Sequence, residues 1–182
     1  MASSATTVAT QRSSSVNVND WMECLSWQLQ YSSTGQRASL RRIPLTKSFK
    51  ADGTIIAFIT KANVPLYKRE HDFDRWRMLT HFAAMLVGTG EAGPNLPFVH
   101  KEKKCLGTIL GTLDYPEVRL LRLLSVRGEA LDDQVRRVAR ILAQKGERQV
   151  NLWRLYHLLS GDAKSAEAAR IAIAHNFYIA KP

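Results

Sequence analysis

Sulfur ligands are scarce in this chain: its only cysteines, Cys24 and Cys105, form no CxxC pair and no regularly spaced framework. That excludes a disulfide scaffold and a zinc knuckle, and it fits a reducing cytoplasm. Long apolar runs are missing as well. Stretches such as residues 82–87 fall far short of the ~20 residues that cross a bilayer, so no membrane partner is expected. Strand signals are nearly absent, and no substantial sheet is expected. The five histidines show no HExxH or HxH spacing, and no GxSxG or paired-acid pattern accompanies them. The chain is therefore read as no enzyme, without cofactor and without metal.

Two motifs suggest a ligand and fail on context. Gly88, Gly90 and Gly93 spell GxGxxG, but a dinucleotide fingerprint needs a strand before it and a helix opening within it. Here an amphipathic pattern precedes and Pro94 and Pro97 follow, so the glycines read as a helix stop and a loop. Glu70, His71, Asp72 and Asp74 crowd together in sequence, yet neighbours on an emerging helix point in different directions and cannot surround one ion. Helix capping accounts for the aspartates. Trp21, Trp27, Trp76 and Trp153 lie within or beside apolar stripes and read as core residues before base-stacking ones.

What the chain has in excess is positive charge. Lys and Arg number 26 against 16 Asp and Glu in 182 residues, a formal net charge of +10. Both halves are basic, the second more densely. Such a field favours an acidic partner, most often a phosphate backbone, through counterion release that ignores base sequence. The charge is sharpest over residues 117–140, EVRLLRLLSVRGEALDDQVRRVAR, which read as two amphipathic helices hinged at Gly128. Leu120, Leu121, Leu123, Leu124 and Val126 form the first apolar stripe; Leu131, Val135, Val138 and Leu142 form the second. On the polar faces stand Arg119, Arg122, Arg127, Arg136, Arg137 and Arg140. Arg119 with Arg122, and Arg136 with Arg140, lie one turn apart and repel by roughly a few tenths of a kcal/mol per pair, which a polyanion would relieve. The bland alternative is a solvated face in which Asp132 and Asp133 pair with Arg136 and Arg137 along the helix. A second basic cluster, Arg37, Arg41 and Arg42, surrounds Leu40, and Lys101, Lys103 and Lys104 close the loop over residues 90–104.

Periodicity and caps predict an all-α protein, built as two packed helical bundles. Asp20 caps a helix over residues 20–31. Residues 51–68 suit strand or helix, and helix is preferred. Asp72 and Asp74 open a helix that Gly88 stops. Beyond the 90–104 loop come a short helical turn over residues 105–113, the two arginine helices, a tryptophan helix over 152–159 and a last helix ending in Phe177 and Tyr178. The division expected is a disordered tail over 1–19, which lacks the apolar core of a secretory signal, an N-terminal bundle over 20–100 and a C-terminal bundle over 101–182.

The order of segments is more specific than any one of them. SLRRIP, then FDRWRMLTHFAAMLVG, CLGTILGTLDYPEVRLLRLLSVRGEAL, LDDQVRRVARIL, NLWRLYHLLSGD and AARIAIAHNFY together resemble the small subunit (CasB family) of the type I-E CRISPR Cascade complex, over about residues 20–178. The resemblance implies a non-catalytic all-helical protein that joins a crRNA-guided surveillance complex beside a second copy of itself. There it would brace the Cascade subunits and hold the target and displaced (non-target) DNA strands of the R-loop through their backbones, with the crRNA near at hand. Positions matching the family's basic pattern are Arg41, Arg42, Lys103, Lys104, Arg119, Arg127, Arg136 and Arg137. Base pairing with the guide reads sequence in an R-loop, so such a subunit need supply only cationic surface. Arginine suits that task because its planar fork grips phosphate bidentately and stays charged.

Two other readings compete. A stand-alone helical DNA-binding transcriptional regulator would use residues 131–142 as a recognition helix, with Gln134 and Gln144 as the only amides at hand for base edges. A scaffold for acidic protein partners would use the charge for assembly alone.

Overall fold

The structure, a computed structural model, describes residues 20–43 and 53–181, the side chain of Arg69 excepted. The tail expected over residues 1–19 lies outside that range. The described residues form ten helices: α1 (Trp21–Tyr31), α2 (Thr34–Arg41), α3 (Gly53–Lys61), α4 (Leu66–His71), α5 (Phe73–Val87), α6 (Leu106–Thr112), α7 (Glu117–Ser125), α8 (Gly128–Gln144), α9 (Leu152–Leu158) and α10 (Ala163–Ala180). The all-α expectation holds. The single sheet-like pairing among these residues is one parallel bridge between His100 and Val150. No helix among them is long and apolar enough to cross a membrane.

Local chemistry sets the helix starts. Asp20 accepts from the Met22 and Glu23 amides at 2.8 and 3.3 Å, satisfying donors that a helix cannot satisfy itself. Ser33 and Gln36 form a reciprocal capping box on α2, and Asp162 accepts from Ser165 on α10. Asp72 departs from the capping role expected of it. Its carboxylate makes no cap hydrogen bond; it accepts from the Tyr156 hydroxyl at 2.7 Å and pairs with Arg75 at 3.1 Å. Gly88, at φ 83°, ends α5 as expected, in a backbone region that strains a residue bearing a Cβ.

The buried apolar side chains form one connected cluster drawn from both the 20–100 and the 101–182 segments. Fully buried Trp76 on α5 meets Trp21 of α1 and Tyr156 of α9, while Trp153 contacts Trp21 and Tyr156. The tryptophans other than Trp27 thus pack as a core group, as expected. α8 lies on α5, and α6 is clamped against α10. That clamp depends on two glycines. A Cβ on Gly107 would stand 2.1 Å from the Ile173 carbonyl oxygen, and one on Gly111 would stand 2.7 Å from that of Phe177. Only a bare α-carbon lets the two backbones approach this closely.

Candidate nucleic-acid interface

The polar faces of α7 and α8 meet in a groove. Arg119 and Arg122 come from α7, Arg137 and Arg140 from α8, and all four line one cavity of about 380 Å³ with Tyr115, Gln134, Ile141 and Gln144. Each pair is spaced by three residues, which places both members on one side of their helix. Pro116 starts α7, and Gly128, at φ 57°, turns the chain from α7 into α8. Beneath the arginines, Leu120 and Leu123 of α7 and Leu131, Val135, Val138 and Leu142 of α8 are buried, so the cationic faces stand on a packed base. Leu121 departs from the expected stripe: it is 52% exposed. A helix turns by about 100° per residue, so Leu120 and Leu121 cannot share a face.

The four arginines are exposed, whereas Tyr115 and Gln134 are only 4% and 6% exposed and form the floor. No described carboxylate lines the cavity. None of the four guanidinium groups makes a hydrogen bond or ion pair to a described residue. Among the described residues, the anticipated ion pair between Asp133 and Arg137 does not form. Among the described residues no carboxylate pairs with the four charges, which line one cavity, an arrangement that would attract a polyanion. Burial pushes the Tyr115 phenol above its ordinary pKa, against the lowering influence of Arg119 and Arg137, so it stays a neutral hydroxyl.

The other anticipated residues lie elsewhere. Arg136 is half-buried on the side of α8 facing α5, where its charge acts on His81, and its Nε is buried without a partner. Arg127 is held at the end of α7: one guanidinium nitrogen donates to the Leu124, Ser125 and Val126 carbonyls at 2.8 to 2.9 Å, and the other pairs with Glu167 at 3.3 Å. Lys104 pairs with Glu147 at 3.3 Å. Arg41 donates to the Gly88 carbonyl at 2.6 Å, and the fully buried Arg37 donates to the carbonyls of Ser32 and Gly90. With Arg148, which donates to the Leu86 carbonyl at 3.0 Å, these arginines satisfy oxygens at the C-terminal end of α5. Burial, then the neighbouring Arg42, lowers the Arg41 pKa from its usual value. Arg42 and Lys103 are exposed but do not line the groove.

A larger cavity, about 620 Å³, opens between the N-terminal ends of α5, α8 and α10. Its charges cancel: Asp74, Asp132 and Glu167 face Arg75, Arg127 and Arg170, with Glu167 paired to the last two. It offers no net attraction to phosphate, and the smaller groove is the better site on electrostatic grounds. Comparisons of the chain with protein-family models, curated proteins and solved structures return no match.

Sequence reasoning passed over Tyr115 and Ile141 and considered Gln134 and Gln144 only as readers on a recognition helix. One signal was present. Gln134 is three residues from Leu131 and four from Val138, so it occupies a position on the apolar stripe, where an amide has a reason to be.

Proposed function

We propose that this chain is a non-catalytic nucleic-acid-bracing subunit, like the CasB-family small subunit of the type I-E CRISPR complex that its order of segments resembles. In this reading it binds target and displaced DNA strands of the R-loop beside the crRNA-guided subunits, in the cytoplasm, without reading base sequence. The observation that carries the phosphate-binding part is the α7–α8 groove, with four convergent arginines and no acid among the described residues. Exposed Val118 and Leu121 on α7, and Ile171 and Ile179 on α10, offer apolar surface for neighbouring subunits or a second copy.

The test replaces Arg119, Arg122, Arg137 and Arg140 together with alanine and measures binding of single-stranded DNA of several sequences. These side chains are exposed, so the helical circular dichroism is expected to stay the same. Affinity is expected to fall for every sequence, and the slope of log affinity against log salt to lose about 0.7 per phosphate contact removed. Undiminished affinity at low salt would overturn the reading. A consensus returned by selection from random duplex DNA would replace it with the sequence-reading regulator.

A further inference from the structure

The groove holds more than a phosphate grip requires. Its floor carries the Gln134 amide and the Tyr115 hydroxyl, both on side chains more than nine-tenths buried. Neither makes a hydrogen bond to a described residue, and neither has its polar atoms sealed from the cavity. With their polar ends open to the cavity, the amide and the hydroxyl can exchange solvent for the groups of a bound ligand, and on the otherwise apolar stripe of α8 the amide is placed to do so. Phosphate is a poor match for the pair. A phosphate only accepts hydrogen bonds, and the four guanidinium groups above already supply many donors. Gln134 offers both a donor and an acceptor, and Tyr115 adds a hydroxyl that does either. The partner such a floor suits is a flat group presenting donors and acceptors side by side, as the edge of a nucleobase does. Ile141 and the arginine planes supply surfaces for its faces. The volume of about 380 Å³ lies within the range of small-ligand pockets.

We propose, resting on the phosphate-binding reading above, that the α7–α8 groove is a nucleotide pocket. The four arginines hold the flanking phosphates of a single strand while one nucleobase turns inward and hydrogen-bonds Gln134 and Tyr115. Duplex DNA keeps its base edges paired and stacked, so the pocket selects single-stranded nucleic acid, and the amide and hydroxyl adapt to more than one base.

The test uses the full chain and fluorescently labelled 12-nucleotide DNA probes, one carrying bases and one wholly abasic, at equal salt. Wild type is expected to bind the abasic strand about 5- to 10-fold more weakly, the worth of one or two hydrogen bonds. Gln134→Leu and Tyr115→Phe are each expected to lose a similar factor on the base-bearing strand and none on the abasic one. Equal wild-type binding of the two probes overturns the pocket, and that arm needs no variant to fold. Tighter binding of an RNA 12-mer, with abasic and base-bearing DNA equal, assigns the floor to a ribose hydroxyl and also overturns it. Failure of the phosphate reading looks different: the quadruple arginine variant then binds both probes as wild type does.

Discussion

A guanidinium acts on whatever lies within its reach, and identical side chains in this chain reach different things. Arg41 finds the Gly88 carbonyl at 2.6 Å, while Arg140 finds a groove without acids. Arg41→Ala is therefore expected to lower stability by about 1 to 2 kcal/mol in urea unfolding, as for loss of a hydrogen bond to a charged group, and to leave DNA affinity unchanged. A fall in affinity with no fall in stability would return Arg41 to the interface. Two buried histidines give the molecule an acid limit. His81 donates from Nδ1 to the Leu40 carbonyl at 3.0 Å, and Nδ1 of His100 accepts from the Leu152 amide at 3.1 Å. Burial lowers both pKa values. Arg136 and Arg140 lower that of His81 further, against the Leu40 bond, while Asp20, Glu23 and Glu102 work against the lowering at His100. The folded state thus prefers neutral rings, whereas the unfolded chain takes up protons near pH 6.5. The stabilisation they give is complete above that value and is lost as pH falls through the lower folded pKa values. The urea midpoint should drop between pH 7.5 and pH 5, less steeply in His81→Gln; a flat profile would show that these rings do not control it.

Helices were the most legible elements, because apolar periodicity and caps are local. The residue pattern marked α1, α5, α7, α8 and α10, and the preference for helix over residues 51–68 is met by α3 and α4. Asp72 misled because a carboxylate at a helix start has more than one use. Its choice of Tyr156 and Arg75 over the backbone depends on α9, which is distant in sequence. The glycines of LGTILG carry a second meaning that spacing alone does not reveal, namely the close approach of α10. An alanine in place of a helical glycine ordinarily stabilises a helix by roughly 1 kcal/mol. Here Gly107→Ala is expected to do the reverse and destabilise by about 1 to 3 kcal/mol or more, since its Cβ would lie 2.1 Å from a backbone oxygen. An unfolding midpoint equal to or above wild type would remove the clamp from the account.

At the scale of the molecule, both segments contribute to one connected core: α5 supports α8, and Asp20 at the start of α1 accepts from the Trp153 indole at 3.2 Å. Unfolding is expected to be one transition, with tryptophan fluorescence and circular dichroism superimposing along a urea series. Separated curves would instead mark two independently stable bundles over 20–100 and 101–182. The net charge of +10 was legible from composition, because charge adds up whatever the fold. Which charges are available was not legible. Of the twelve basic residues picked out along the chain, four share the groove, while Arg37, Arg41, Lys104 and Arg127 are engaged with protein groups. Linear order thus sufficed for the helices, the Asp20 cap and the sign of the net charge, all of which follow from composition or from neighbours within a turn or two. The meeting of α7 with α8, the burial of Tyr115 and Gln134 beneath four arginines and the withdrawal of Arg41 were decided by tertiary packing. Each depends on how separate helices are brought together, and nothing local in the chain encodes that geometry.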